Sequence, residues 1–438
     1  MYQKLLESIL LPIGDYFNKS SYIKQLKYWR KVDSFTTEEL AELQTVNLKK
    51  TLTNAVTNIP FYNDIKLNGE NPTEWLKQFP VLTKNHIRNN TLELINTNYS
   101  IADLIQYSSS GSSGIQSSVY MNKDEQSIIR GILTHWWEWS NYRIGKPIVQ
   151  TGMTLDRSLV KSLKDFFLRT YYLNAFSLSE NQLKDVCEKL NNTDKYFLSG
   201  YASSLNVIAE YALKHNYSIK LKSVISLGDK LFDHYRKNIE NAFACKVYDT
   251  YGSNEGLMIA AQKDLEYLYI LSPHVFVEIV DDEYVPVEDG IMGNILITRL
   301  DANSMPLIRY KLGDLGILLP KDKYPMRRDL NYPLLQQIVG RETDVVKLPS
   351  GKKLIVHSFT GIFEFVSEIK QFKVIQGKVN EITILYIKDV GFSNKILINI
   401  TNELQKHIQD LDFKIKYKEV SFIAPSSSGK PQIIESQL

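Results

Sequence analysis

Apolar residues recur along the chain with spacings that change from region to region. In the first hundred residues a helical spacing dominates: Leu48, Leu52 and Val56 share one face of LKKTLTNAVTNIPFY before Pro60 ends the run. Further along, short apolar runs end in small or polar residues and alternate with helix-like segments: PIVQTG, KYFLSGY, SVISLGD and KVYDTYG. This alternation predicts an α/β sheet with its ligand site at the carboxyl ends of the strands.

From about residue 266 the pattern becomes β-rich. LEYLYIL, HVFVEIVDDE, GNILITRL and LGILLP are separated by acidic or glycine-containing turns, and after KDKYPMRRDLNYP a last block combines three strand-like runs with the helix-like SNKILINITNELQKHI. We therefore predict an α/β protein with two domains. Residues 1–340 form a large N-terminal domain that binds ligand and ends in a β-rich subdomain, and residues 341–438 form a small, mobile α+β domain.

Composition excludes several classes of protein. The chain has 438 residues, of which 43% are hydrophobic, enough to bury a large core. Its net charge of +3 comes without a basic stripe, so no nucleic-acid partner is indicated. The two cysteines, Cys187 and Cys245, are far apart, which argues against a zinc cluster or a disulfide framework and favours the cytoplasm.

The N-terminus, MYQKLLESILLPIGDYF, is apolar but has neither a signal-peptide cleavage site nor the length of a membrane span. Read as a helix, it places Leu5, Leu6, Ile9 and Leu10 on one face. That face either packs on the body of the protein or touches a membrane surface. We expect no transmembrane segment and leave a peripheral membrane contact open.

Two glycine-containing segments are candidates for nucleotide binding. YSSSGSSGIQSSVY can turn backbone N–H groups and hydroxyls toward phosphates, although a flexible connector has the same composition, and no lysine follows its second glycine as in the usual phosphate loop. In VYDTYGSNEG, a tyrosine can stack on a purine, an amide can reach a phosphate and a carboxylate can hold Mg²⁺, or the segment is a hairpin turn.

Three further segments carry single polar groups of interest. MPLIRYKLGDLG places Asp314 in a turn after a strand-like run, where its carboxylate could accept hydrogen bonds from a ribose and is expected to face a ligand. GRETD places Arg341 and Thr343 at a domain junction, and PSSSGKPQ places Lys430 on a terminal loop.

The order and spacing of these segments resemble the adenylate-forming superfamily of acyl-CoA synthetases, luciferases and adenylation domains, and within it the phenylacetate–CoA ligase and capsule-biosynthesis branch. The segments that carry the resemblance extend over nearly the whole chain: NAVTNIPFYND, FPVLTKNHIRNN, SSGSSG, LSGYASSL, YGSNEG, MPLIRYKLGDLG, GRETDVVKLPSG and the terminal GK. The resemblance implies an ATP-dependent, AMP-forming ligase that makes an acyl-adenylate and then passes the acyl group to an acceptor.

The resemblance also implies roles for individual residues. It makes Tyr251 the adenine-stacking residue, Glu255 the Mg²⁺ ligand, Asp314 the ribose ligand with Arg341 as its partner, and Lys430 the catalytic lysine that bridges the carboxylate and the α-phosphate. Gly252 and Asn254 belong to the same ATP motif, Gly228 and Asp229 form the adenine-flanking turn, and Thr343 is the hinge. The phosphate loop comprises Ser109, Ser110, Gly111, Ser112, Ser113 and Gly114. The acyl pocket, or else ordinary core, comprises His135, Trp136, Trp139 and Tyr201.

Three positions depart from the family pattern. Gln116 and Ser117 stand where many relatives have proline and lysine, Asn254 replaces a threonine, and Thr343 replaces an aspartate. The expected cofactors are ATP and Mg²⁺, with CoA as a candidate acceptor. The favoured acceptor is a sugar of capsular or O-antigen polysaccharide. The alternatives are an aryl- or acyl-CoA ligase, an acyl-protein synthetase and a non-catalytic nucleotide-binding homologue.

Overall fold

In the computed structural model of the chain, the described residues are 2–108, 118–152, 159–175, 178–191, 193–341, 345–350, 353–363, 366, 368–408, 412–424 and 432–438. The α-helices are α1 (Tyr2–Leu5), α2 (Leu11–Asn18), α3 (Tyr22–Val32), α4 (Thr37–Asn58), α5 (Pro72–Leu76), α6 (Lys84–Asn89), α7 (Lys123–Trp139), α8 (Leu159–Leu168), α9 (Glu180–Leu190), α10 (Ala202–Lys214), α11 (Asp233–Phe243), α12 (Val356–Phe363) and α13 (Asn394–Ile408). A π-helical turn, Leu6–Leu10, joins α1 to α2.

The strands lie mostly in the middle and at the end of the chain. They are β1 (Ile105–Ser108), β2 (Ser118–Met121), β3 (Ile148–Gly152), β4 (Thr170–Asn174), β5 (Phe197–Tyr201), β6 (Val224–Leu227), β7 (Val247–Ser253), β8 (Leu257–Ala261), β9 (Leu268–Ile270), β10 (Val275–Val280), β11 (Gly293–Arg299), β12 (Tyr310–Leu318), β13 (Leu334–Arg341), β14 (Val345–Lys347), β15 (Lys353–Ile355), β16 (Ile369–Lys378), β17 (Glu381–Lys388), β18 (Lys414–Glu419) and β19 (Ile434–Ser436).

One sheet of eleven strands organises the larger part of the chain, in the order β10-β11-β12-β13-β9-β8-β7-β6-β5-β3-β4. From β4 to β7 the neighbouring strands are parallel, and from β7 to β10 they are antiparallel. The predicted α/β architecture with a β-rich continuation is thus confirmed, and β7 is the strand at which the direction changes.

The two halves of this sheet have separate cores. The parallel half packs α9, α10 and α11 against β3, β5, β6 and β7 through residues such as Val186, Leu205 and Val224. The antiparallel half packs α4 against β8 to β12 through residues such as Leu52, Ile259 and Ile297. Strands β3, β5, β6 and β11 are buried along nearly their whole length, as expected for strands that are covered on both faces.

The C-terminal elements form a core of their own. A four-stranded sheet, β18-β17-β16-β19, packs against α12 and α13 around Phe359, Val374 and Leu404, and Phe232 from the larger part of the chain also contacts this core. These elements form the predicted α+β combination. The domain boundary at residues 340 and 341 stays a prediction, and Arg341 is the last residue of β13 in the large sheet.

Local sequence signals explain where the principal helices begin. Thr36 and Glu39 form a reciprocal capping box at the start of α4, and Asn122 and Glu125 form one at the start of α7. Helix α4 ends at Asn58, two residues before Pro60, as the sequence predicts. Within the described residues, no helix is both long enough and apolar enough to cross a bilayer.

Candidate active site

Strand β7 and the ends of its neighbours bring several of the predicted residues together. Tyr201 ends β5, Gly228 directly follows β6, and Tyr251 and Gly252 lie near the end of β7. Because β5, β6 and β7 are parallel, their carboxyl ends lie on the same edge of the sheet. This is the edge at which ligands bind in sheets of this kind.

Gly228 is a position that a side chain could not occupy without rearrangement. Its φ is +80°, and a Cβ atom built there would lie 2.4 Å from Cε1 of Tyr201. Glycine therefore permits both the left-handed backbone and the close approach of the tyrosine ring. Tyr201 is the one predicted acyl-pocket residue that the structure brings to this edge.

Asp229, the next residue, has a definite structural role. Its carboxylate accepts hydrogen bonds from the backbone N–H groups of Ala202 and Ser203 and from the hydroxyl of Ser203. Tyr201, the N-cap residue of α10, makes no side-chain capping bond of its own. Asp229 therefore caps α10 from a neighbouring loop and complements the positive end of its dipole.

The YGSNEG segment comprises the end of β7, residues 251–253, and the turn that leads to β8. A Cβ atom at Gly252 would lie 2.6 Å from the carbonyl oxygen of Leu257, so the tight approach of the two strands requires glycine. Gly252 and Asn254 are exposed, whereas Tyr251 and Glu255 are 8% and 5% exposed. The hairpin turn that the sequence left open is thus present, and the binding of a ligand by its polar groups stays a prediction.

Asp314 meets this turn from β12. The hydroxyl of Tyr251 donates a hydrogen bond of 2.9 Å to Oδ2 of Asp314. The expectation that the carboxylate has no protein side chain as its partner is therefore wrong, and its role as the ribose ligand stays a prediction. Asp314 also lies inside a strand, not in a turn, because it pairs in register with Arg341 of β13 and so continues the ladder beyond Gly313, whose φ is +82°.

The same register pairs the backbone of Arg341 with that of Asp314, and the joint action of the two side chains stays a prediction. Arg341 lies on the strand immediately before the predicted hinge. The hinge residue Thr343, the phosphate-loop residues Ser109 to Gly114 and the lysine Lys430 lie outside the described residues. Their roles stay predictions.

The carboxylate of Glu255 suits a magnesium ion. It is almost fully buried, and within the described part of the chain it forms no ion pair and accepts one side-chain hydrogen bond, from Tyr310 at 3.2 Å. A buried carboxylate with so little compensation is a costly arrangement unless a cation joins it. The described residues contain no cluster of three metal-binding side chains, so Mg²⁺ would take its other ligands from phosphates and water.

Asp249, two residues before Tyr251, was not singled out by the sequence. Desolvation raises the pKa of its carboxyl group to about 6, against the opposing effect of the Arg236 guanidinium. The residue lies on β7 close to the site edge. Its position in VYDTYGSNEG was the available signal, but burial decides the shift and cannot be read from the sequence.

The segment after the phosphate loop is anchored by a buried carboxylate. Glu125, in the first turn of α7, accepts hydrogen bonds from the backbone N–H groups of Asn303 and Ser304 and from the hydroxyl of Ser304. Strands β1 and β2, which flank residues 109–117, pair in register from Ile105 to Ser108. The elements on either side of the predicted phosphate loop are therefore fixed.

His135, Trp136 and Trp139 lie in a packed core rather than at the edge that holds Tyr201. Trp136 and Trp139 belong to a hydrophobic cluster with Trp29, Tyr269 and Tyr332, and the His135 ring contacts that of Trp139. Burial opposes protonation of His135, yet the carboxylates of Asp33 and Glu138 raise its pKa. The contacts of these three α7 residues are those of core residues, which was the alternative left open by the sequence.

Comparisons with known proteins support the assignment of the fold and the order of the motifs. No family model matches the chain. Protein CapK of Staphylococcus aureus is 26% identical over 423 residues, which cover 92% of this chain and 90% of CapK. A phenylacetate-coenzyme A ligase of Pseudomonas putida is 28% identical over 204 residues, 45% of this chain and 42% of the ligase.

The structure is also similar to that of a 2-hydroxyisobutyryl-CoA ligase. In its postadenylation state with 2-HIB-AMP, this ligase superposes with a TM-score of 0.74 at 16% identity, over 93% of this chain and 91% of the ligase. In its thioesterification state with 2-HIB-AMP and CoA, the score is 0.59 at 17% identity, over 93% of this chain and 92% of the ligase. The two values belong to one ligase in two states.

Proposed function

We propose that this chain, which belongs to the adenylate-forming superfamily together with CapK and the phenylacetate-coenzyme A ligases, activates a carboxylic acid with ATP and transfers the acyl group to a sugar of a surface polysaccharide. The observation that carries the activation step is the arrangement at the turn after β7. At the end of β7 the Tyr251 hydroxyl donates a hydrogen bond to the Asp314 carboxylate, and the turn that follows carries the buried Glu255 carboxylate.

In the activation step, a carboxylate oxygen of the acid attacks the α-phosphorus of ATP. The bond from that phosphorus to the oxygen bridging to the β-phosphate breaks, and pyrophosphate leaves with the electron pair. Both reactants are anions, so positioning and cationic charge must supply most of the rate enhancement. Mg²⁺ held by Glu255 would screen the phosphate charge.

The chain's own residues would perform the remaining tasks of this step. Lys430 would bridge the substrate carboxylate and the α-phosphate, and Asp314 with Arg341 would hold the ribose. The loop Ser109–Gly114 would surround the β- and γ-phosphates with N–H and hydroxyl donors. The ring of Tyr251 would stack on the adenine, while its hydroxyl would hold the Asp314 carboxylate in position.

In the transfer step, a hydroxyl or amine of the acceptor attacks the acyl carbonyl carbon. The carbonyl carbon loses its bond to the phosphate oxygen, AMP leaves, and the acceptor's proton passes to solvent or to the released phosphate. A turn of the C-terminal elements about Thr343 would withdraw Lys430 between the two steps. The different TM-scores to two states of one ligase are consistent with such a rearrangement within this fold.

The sugar acceptor rests on the capsule-biosynthesis resemblance and on the extent of the similarity to CapK. That similarity covers 92% of this chain, against 45% for the ligase of Pseudomonas putida.

Coenzyme A is the second candidate acceptor. A solved neighbour of the same fold carries CoA together with an acyl-adenylate. In addition, the β14–β15 hairpin sets Lys347 and Lys353 opposite each other in register. Two lysines at one hairpin position would supply positive charge for the 3′-phosphate of CoA.

The test separates the two steps. ATP–pyrophosphate exchange over a panel of carboxylic acids, including amino acids, should identify the acid and fail with Glu255→Gln. The loaded enzyme is then offered CoA or a panel of nucleotide sugars, and the acyl group is followed by mass spectrometry. Saturable transfer to a sugar supports the proposal, whereas acyl-CoA formation alone selects the second candidate. ATP binding without exchange for any acid would indicate a non-catalytic homologue.

A further inference from the structure

An exposed group of apolar side chains lies at the N-terminus, far along the chain from the candidate site. Tyr16 and Phe17 of α2 are 81% and 79% exposed, and Phe166 of α8 is 76% exposed. Their exposed neighbours are Leu5, Ile9, Ile13 and Leu163. We call these seven side chains the N-terminal apolar patch. Exposed apolar patches mark interaction surfaces.

The two helical segments of the patch are fastened together. The hydroxyl of Tyr2 donates a hydrogen bond of 2.6 Å to the carbonyl oxygen of Phe167, and the Arg169 guanidinium lies 4.3 Å above the Tyr2 ring. Leu11 and Leu168 both pack against the same small core, formed by Tyr22, Ile23, Leu26 and Ile144. The N-terminal helical segment and α8 therefore already bury an apolar face against the protein. The patch is a second apolar face that points outward.

The two acidic groups of the N-terminal helical segment face inward: Glu7 forms an ion pair with Arg30, and Asp15 accepts hydrogen bonds from the Ser20 hydroxyl and the Ile23 N–H. On α8 the one acidic residue, Asp165, is half-buried. The basic side chains on the same segments are exposed, at Lys4, Lys19, Lys161, Lys164 and Arg169. An apolar face with a basic rim is complementary to an anionic lipid surface.

We propose that the N-terminal apolar patch binds the surface of a bilayer containing anionic lipids, with the two helical segments lying in the plane of the membrane. Three aromatic rings that are more than three-quarters exposed project from helices, as needed to enter the boundary between headgroups and acyl chains. The basic rim supplies the electrostatic attraction. This binding is independent of the chemistry at the candidate site.

The test uses the full-length protein and vesicles of phosphatidylcholine, alone or mixed with phosphatidylglycerol. We expect co-sedimentation with the mixed vesicles that weakens as salt is added, since salt screens exposed charges. The double variant Ile9→Ser/Phe17→Ser should lower the partition coefficient by about tenfold or more, because two large apolar groups no longer enter the membrane. Ile398→Ser, at an exposed site on α13, is the matched control and should bind like the wild type.

A second pair of variants tests the rim. Lys4→Glu/Lys19→Glu should abolish the preference for phosphatidylglycerol, whereas Lys321→Glu/Lys323→Glu, equally a double reversal of exposed lysines, should keep it. Unchanged thermal unfolding and ATP–pyrophosphate exchange would show that the variants are folded. If the wild-type protein co-sediments with neither vesicle type, the proposal is overturned. It is also overturned by a dimer in sedimentation velocity that Ile9→Ser/Phe17→Ser converts to a monomer, because the patch would then be a self-association surface.

Discussion

The hydroxyl of Tyr251 donates a 2.9 Å hydrogen bond to the carboxylate of Asp314 and so connects the end of β7 to β12, four strands away in the large sheet. Both residues were predicted to contact ATP, one through its ring and one through its carboxylate. Their direct contact means that neither can be replaced without affecting the other.

Asp314→Ala should weaken ATP binding by about 3 kcal/mol, because the ribose loses charge-assisted hydrogen bonds. Tyr251→Phe should lower the free energy of unfolding by about 1 kcal/mol, since it removes the hydroxyl alone. Isothermal titration with ATP and urea unfolding of both single variants and the double variant form a thermodynamic cycle. Strict additivity in ATP affinity would show that the hydrogen bond does not prepare the site.

Lys430→Ala should reduce acyl-adenylate formation by orders of magnitude while sparing transfer from a synthetic acyl-adenylate. The reason is that its ammonium group is needed where charge develops on the α-phosphate, and only in the first step. Single-turnover assays of each step measure the two effects. Equal losses in both would remove the role assigned to the lysine.

Gly228→Ala should destabilise the protein more than Gly69→Ala. The φ angle is +80° at Gly228 and +84° at Gly69, so both substitutions incur backbone strain of about 1–2 kcal/mol. A Cβ atom at Gly228 also meets the Tyr201 ring, whereas one at Gly69 has nothing within 4 Å. Urea unfolding of the two variants isolates the contact, and similar losses would mean that the ring simply moves away.

Asp249 should make stability fall as the pH rises. Its pKa is raised from 3.8 to about 6 in the folded protein, so the folded state binds more protons than the unfolded state between these values. The group's unfavourable contribution is absent below about pH 4 and complete above about pH 6, where it reaches about 2–3 kcal/mol. Asp249→Asn should flatten this part of the profile of unfolding free energy against pH. A profile identical to the wild type would show that the group titrates normally.

Thr343→Pro should slow transfer more than adenylation. Proline fixes φ at the predicted hinge, and only the second step requires the C-terminal elements to turn. Rapid-quench measurement of both steps tests this, with adenylation serving as the internal control. If both steps slow alike, rotation near residue 343 is not what separates them.

The sequence predicted the strands of the parallel half well, because β5, β6 and β7 are apolar runs that end in glycine or polar residues. The sequence prediction failed where hydrogen-bond pairing between distant segments determines the secondary structure. Asp314 was placed in a turn because glycines flank it, but its register with Arg341 keeps it in a strand. A local irregularity caused a second error. Helical spacing predicted that Leu5, Leu6, Ile9 and Leu10 share one face, but the π-helical turn at Leu6–Leu10 rotates the side chains relative to an α-helix, and of these four only Leu6 is buried.

The large sheet changes direction at β7, and each half has its own core. Tyr251 lies near the end of this strand and Glu255 in the turn that follows it, and the two edges of the strand are held by β6 and β8. Loosening of either core therefore removes a neighbour of β7. A destabilising substitution in either half would therefore affect the candidate site, even if it lies far from any ligand. Activity would fall in proportion to the fraction of molecules in which one half of the sheet is locally unfolded. For this protein, catalytic rate would then be a sensitive gauge of the folding of both halves.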